Sequence, residues 1–328
     1  LVNKPGRGGN NVKKALTQTA PKKKIRSGRS WKNDIRMNWR IYLIYLPIFV
    51  YLIIFNYLPM FGIVMAFQDF KPARGFLGSK WVGFANFIEF FTKSDFTLIL
   101  RNTLVISLLG LSVGMVSAIL FTLLINEIKF TWFKKPVQTI SYMPHFISAV
   151  VIAGMIIDFT SSNGIVTNFL VNVIGIEREN LLTNPSYFWW INLFSGLWQG
   201  LGYSSIIYIS ALGNVSQELN EAAAIDGANR LKRTWHITLP ALRPTIVTML
   251  ILSIGQLLNV GSDKILLIYN PTIYSTADVI STHVVRMGLE RMQYGYSAAV
   301  GLFNSVVGTI LLLGSNYISR KLADTSIF

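Results

Sequence analysis

The chain has 328 residues, of which 52% are apolar and only 14% charged, against roughly 25% charged in a soluble domain. A mean hydropathy of +0.45 agrees, and the absence of cysteine excludes disulfides, thiolate metal sites, iron-sulfur clusters and cysteine nucleophiles. Thirty Lys and Arg against fifteen Asp and Glu leave +15, a charge that suits nucleic acid, an anionic membrane face or an acidic substrate, so its position must decide.

Residues 1–40 hold twelve basic side chains and one acid, Asp34, and read as a basic cytoplasmic N-terminal arm, disordered in isolation. The arm does not read as a secretory signal, which needs its apolar core within roughly the first 15 to 30 residues. Residues 41–328 read as one multispan domain with six apolar runs, at 41–67, 103–125, 137–158, 187–212, 245–263 and 298–317. A bilayer core of about 30 Å takes about 20 such residues in a helix. The third run contains Pro144 and His145, which membrane helices tolerate where neighbours satisfy the backbone. Between the first two runs, Phe84, Phe87, Ile88 and Phe91 fall at helical spacing, predicting a helix at the membrane interface or packed on the bundle.

Orientation follows from the loop charges. With a cytoplasmic N-terminus, residues 1–40, 126–136, 213–244 and 318–328 lie inside and carry 21 of the 30 Lys and Arg in 94 residues, leaving 9 for the 97 outside. The whole net charge then sits on the cytoplasmic side. The basicity is topological, and the arm can also meet anionic lipid. No aromatics are interleaved with its bases before Trp31, which argues against nucleic acid.

The inside loop at 213–244 has internal structure. Residues 218–226 favour helix, Gly227 offers a left-handed helix end, and Asn229 can cap a further turn. Leu239, preceding Pro240, is expected to leave the α region. Ala222, Ala223, Ala224 and Ala228 are too small to build a core but allow close approach by another protein, inside a rim of Glu221, Asp226, Arg230, Lys232 and Arg233. The alternative is a solvated connecting loop, although loops of this length in compact domains usually work.

The spacing Glu221-Ala222-Ala223, three residues, Gly227, nine residues, Ile237-x-Leu239-Pro240 resembles the EAA loop of permease subunits in bacterial ATP-binding-cassette importers. The resemblance covers nearly all of residues 38–322. Trp81-Val82-Gly83 with Asn86-Phe87 and Asn102-Thr103 is similar to the carbohydrate-uptake branch. Tyr142-Met143-Pro144-His145-Phe146-Ile147, Tyr269-Asn270-Pro271 through Tyr274, Ala277-Asp278-Val279-Ile280 and Arg286-x-Gly288-Leu289 resemble a subgroup serving complex oligosaccharides, including alginate and aldouronates.

The resemblance implies an all-α integral membrane protein of six transmembrane helices, the type I importer permease fold, with both termini cytoplasmic, in the bacterial inner membrane. It implies Glu221, Ala222, Ala223 and Gly227 as the docking residues of a coupling helix; Arg230 and Lys232 are added as rim contacts. It also implies as partners a second homologous permease, two ATPase subunits and an extracytoplasmic solute-binding protein. ATP and magnesium would sit on the ATPases, with no cofactor on this chain.

A solute path needs polar groups inside the bundle. In the fifth run Gln256, Asn259 and Asp263 are spaced for one helix face, and in the fourth Asn192, Ser195 and Gln199 repeat that spacing. Trp198 and Tyr203, with Trp189 and Trp190, supply aromatic faces for sugar. The competing role is interhelical hydrogen bonding, and Asn56 and Asn304 are assigned to it. Asp263 with Lys264 can be an ion pair at the outer rim. Gly196, Gly200, Gly202, Gly255 and Gly261 are expected to permit close helix packing or bending.

The chain has no G-x-x-x-x-G-K-[ST] to cradle phosphates and no Gly-x-Ser-x-Gly elbow. His145, His236 and His283 lie far apart and form no His-Glu-x-x-His. Work must come from a partner. The alternative, an ion- or proton-coupled carrier, would need a mid-membrane ionisable residue, and Asp158 and Asp263 sit at run ends. An intramembrane enzyme lacks any nucleophile, base or metal constellation.

Overall fold

The computed structural model describes residues 31–213 and 215–323, so the arm over residues 1–30 lies outside the described residues. Among the described residues the structure is helical apart from one short ribbon and the loops, and the chain divides into two compact units, up to Phe61 and from Gly62 onward.

In the first unit, α1 (Trp31–Leu52) starts inside the basic segment rather than at the apolar run. Asp34 lies in the first turn, where the helix dipole favours an anion, and the helix kinks at Asn38, whose φ and ψ are −111° and 19°. The Asp34 carboxylate accepts from Asn38 Nδ2 and Tyr42 OH, both at 2.9 Å. Winding continues through a π turn at Ile53–Tyr57.

The second unit opens with β1 (Gln68–Asp69) pairing antiparallel with β2 (Lys80–Trp81). There follow α2 (Ala85–Thr92), α3 (Asp95–Glu127), α4 (Thr131–Tyr142), α5 (Ala149–Thr160), α6 (Ile165–Ile174) and α7 (Pro185–Leu212). After these come α8 (Gln217–Ile225), α9 (Arg230–Arg233), α10 (Leu239–Gly255), α11 (Ser262–Ile268), α12 (Ile280–Val285) and α13 (Tyr294–Ala323). Among the described residues, five stretches are long and apolar enough to cross a membrane: Asp34–Phe67, Asp95–Glu127, Ala149–Ile174, Arg230–Gly255 and Tyr294–Lys321. Helix α7 has the length at 28 residues, but polar positions such as Asn192, Ser195 and Gln199 dilute its apolar character.

The third run is not one helix. Helix α4 stops at Tyr142, Met143–Phe146 winds as a 3-10 turn, and α5 begins at Ala149, capped by Ser148 Oγ. Pro144 has no N–H to continue the ladder, so the chain turns there and the apolar stretch shifts forward to Ala149–Ile174. The helix expected near 81–96 forms as α2, and it presents an apolar face outward. Phe84, Ile88 and Phe91 are exposed, whereas Phe90 is buried against Phe96, Tyr296 and Phe303.

Helices α3 and α7 pack along each other, and α10 packs on α13. One core joins Ile152 and Ile156 of α5 to Phe188, Ile265, Ile273 and Val279; a second joins Phe90 and Ile99 to Leu258, Met287 and Val300. Helices α4 and α7 meet backbone to backbone at Gly202, which is buried and where a Cβ would overlap the Ser141 carbonyl oxygen. Gly202→Ala should cost about 1–3 kcal/mol, because a backbone carbonyl cannot move aside like a side-chain tip. Gly200→Ala, with nothing within 4 Å, should be tolerated. Thermal unfolding of the two detergent-solubilised variants checks the contrast.

Candidate functional site

Two features are candidates for function, and they occupy different parts of the second unit. The first is the elbow at 216–238. Helix α8 is capped by Ser216 Oγ, which accepts from the Leu219 N–H, and ends at Gly227 with φ +79°. The Ala228 N–H donates to the Ala223 carbonyl at 2.9 Å and the Gly227 N–H to the Ala224 carbonyl at 3.2 Å. This is the Schellman pattern, which needs a left-handed residue at the position Gly227 fills. The fixed interval between Ala223 and Gly227 thus has a local cause. Asn229 Oδ1 accepts from the Lys232 N–H at 2.8 Å to start α9. Arg230 Nη1 lies 3.8 Å from Glu127 Oε2, placing the elbow beside the C-terminal end of α3. Both partners are exposed, so this pair marks position rather than stability. Ile225 and Leu231 are prominent exposed apolar side chains here.

Leu239 does not leave the α region. Its φ and ψ are −66° and −43°, because Thr234–Thr238 winds as a π turn in which the Leu239 N–H reaches the Thr234 carbonyl. Pro240 then falls in the first turn of α10, where a missing N–H costs little. The elbow therefore runs into α10 without a break.

The second feature is a cleft of about 750 Å³ between α3, α7, α10 and the segment leading into α11. Gly110, Gly114 and Gly200 border it with open space where a Cβ would project. Of the polar residues read from the sequence, Asn192, Gln199, Tyr203, Gln256, Asn259 and Asp263 line this cleft. Trp198 is not in its lining, and Ser195 touches it through Lys264. Gln256, Asn259 and Asp263 do not share a helix face. Helix α10 stops at Gly255, Gln256 caps it, and α11 begins at Ser262, so these residues straddle a break flanked by Gly255 and Gly261. Asn259 Nδ2 donates to Gln256 Oε1 at 3.2 Å within it. Tyr203 stacks on the His145 ring, centroids 3.7 Å apart, and Gln199 Nε2 donates to the Ile147 carbonyl at 3.5 Å.

Lys264 departs most from the sequence reading. Its ammonium does not form a rim pair with Asp263; it crosses to α7 and donates to the Asn192 carbonyl and to Ser195 Oγ, both at 3.0 Å. Among the described residues no carboxylate pairs with it. It lies on α11, between the fifth and sixth spans, and burial without a counter-charge lowers its pKa to about 8.

A third cluster was legible only as a resemblance. Asp278 is buried and takes a bidentate grip from Arg286, with Nη1 to Oδ1 at 2.9 Å and Nη2 on Oδ2. Thr282 Oγ1 donates to Asp278 Oδ1 at 2.9 Å, and the fully buried His283 meets Tyr296 OH at 3.1 Å through Nε2. Asn102 Nδ2 donates to the Ser275 and Asp278 carbonyls, and Asn270 Nδ2 to that of Leu182. The Asn102 and Asn270 bonds fasten the segment at 262–293 to the N-terminal part of α3 and to the turn that precedes α7, while the Asp278–Arg286 pair braces the segment internally. These residues do not line the cleft.

Residues 110–324 match the family described as binding-protein-dependent transport system inner membrane component. The chain belongs to this family. It is 39% identical over 318 residues to Protein LplB of Bacillus subtilis strain 168, covering 95% of this chain and all of that one. To the polygalacturonan/rhamnogalacturonan transport system permease protein YteP of the same organism it is 41% identical over 288 residues, 88% of this chain and 90% of that one. A chain in the crystal structure of a bacterial alginate ABC transporter, in complex with its alginate pentasaccharide-bound periplasmic protein, is 40% identical with a TM-score of 0.82, covering 91% of this chain and all of that chain. The architecture is thus the type I importer permease fold of this inner-membrane family, and the chain is a transport subunit. An ion-coupled carrier finds no support in these likenesses.

Proposed function

We propose that this chain imports an oligosaccharide as one half of a permease pair, using ATP hydrolysed by two ATPase subunits and solute delivered by an extracytoplasmic binding protein. The observation that carries this reading is the continuous path from the Ala223–Gly227 elbow through α10 to Gln256 on the cleft wall. Exposed Ile225 and Leu231 beside small alanines give the elbow a surface that another protein can approach closely. The names of the relatives, which include transporters of polygalacturonan and alginate, support a sugar polymer fragment as the solute. Amide side chains and the Tyr203 ring along the cleft suit hydroxyl-rich rings.

The bias of basic residues supports a cytoplasmic position for the elbow and for both termini. ATP and magnesium belong to the ATPases. Rigid-body closure of those subunits on α8 would displace α10 and turn the cleft from one face of the membrane to the other. Purification from native membranes in mild detergent tests the reading: an ATPase and a second permease should accompany this chain in stoichiometric amounts. Sugar uptake by liposomes that contain this chain alone would sink it.

A further inference from the structure

We propose that Lys264 is the residue by which the cleft selects acidic sugars, its ammonium receiving a carboxylate of a uronate-type unit. This rests on the oligosaccharide reading above and narrows its substrate class. Among the described residues that line the cleft, Lys264 is the one that carries a positive charge. An ammonium has three N–H donors, and two are committed to the Asn192 carbonyl and Ser195 Oγ. Those two acceptors are neutral. They fix the direction of the side chain without cancelling its charge, and one donor is left for a ligand.

A cation drawn partly out of water without a carboxylate partner is costly to maintain, since each such group loses hydration that neutral acceptors only partly replace. The fold spends that cost on a wall that solute must pass. Asp263 also lines the cleft, but the next residue along a helix is rotated by about 100°, and Lys264 turns to α7 instead of to its neighbour. Neutral sugar units need only the amides and aromatic rings already present. A carboxylate on the solute would supply the missing counter-charge, and a hydrogen bond between charged groups is the strong kind.

The test uses the complete importer in proteoliposomes, with its binding protein, and two solutes of equal length: an oligogalacturonate and its carboxyl-reduced neutral counterpart. Lys264→Met and Lys264→Gln should each lower the acidic-over-neutral uptake ratio by about ten- to a hundredfold, the scale of one hydrogen bond to a charged group. Lys264→Arg should keep most of the preference. A purely structural role would reduce both solutes in parallel, and an unchanged ratio in the Met and Gln variants overturns the proposal. A native importer that moves neither solute sinks the oligosaccharide reading instead, and this one with it.

Discussion

Gly227→Val is expected to abolish solute-stimulated ATP hydrolysis and uptake while leaving membrane insertion intact. The φ of +79° at this position is open to glycine and strained for a β-branched side chain by about 1–3 kcal/mol. The chain can relieve that strain only by giving up the two hydrogen bonds that tie Gly227 and Ala228 to Ala224 and Ala223, which changes the angle between α8 and α9. Nothing lies within 4 Å of a Cβ at this position, so the defect would be one of backbone conformation rather than of packing. Gly227→Asn, which tolerates the left-handed region better, should retain partial activity. Ala223→Glu should fail for a different reason, placing a charge where a partner must approach. Solute-stimulated ATPase rates in proteoliposomes decide the matter, and full activity in the valine variant would remove the elbow from the coupling route.

Asp278→Ala is expected to lower stability by about 3–5 kcal/mol, because it leaves Arg286 buried without its counter-charge. Burial alone would raise the Asp278 pKa, but the nearby His283 ring, 3.8 Å away, hydrogen bonds from Arg286 and Thr282 and the Arg286 charge outweigh it and hold the carboxyl below its ordinary range. Arg286 shows the complement: burial works against its charge, and Asp278 raises its pKa all the same. Since the folded pKa of Asp278 is depressed, its contribution is fully present above the unfolded value of about 3.9 and disappears as pH falls through the folded one. Thermal unfolding of the solubilised protein should show the native chain losing stability below about pH 4, with that slope flattened in Asp278→Asn. An alanine variant as stable as the native protein would mean that the Asp278–Arg286 pair does not brace the segment at 262–293.

The long apolar runs were legible because lipid demands unbroken hydrophobic length, a signal that survives without any knowledge of packing. What misled the sequence reading was local backbone chemistry. Pro144 ended a helix that the apolar composition of residues 137–158 would have continued, while Pro240 did not end one, because the preceding π turn absorbed its missing N–H. Periodicity put Gln256, Asn259 and Asp263 on one face, yet the helix stops at Gly255, and they reach the same cleft from a break. The elbow was legible in detail because its signals are local: helix formers at 218–226, a left-handed glycine at 227 and a cap at Asn229. Lys264 was not, since its meaning lies in Asn192 and Ser195, distant in sequence, and no spacing rule brings α11 against α7. Asp278 and Arg286 stood out only as shared letters; their burial together is a tertiary fact.

The unbroken winding from Arg230 to Gly255 has a mechanical corollary. Twenty-six helical residues, with a π turn at Thr234–Thr238 and Pro244 inside, span about 39 Å and end where regular winding stops. The first irregular stretch beyond them, between Gln256 and Ser262, borders the cleft, so a displacement begun at the elbow would reach the cleft wall at this joint.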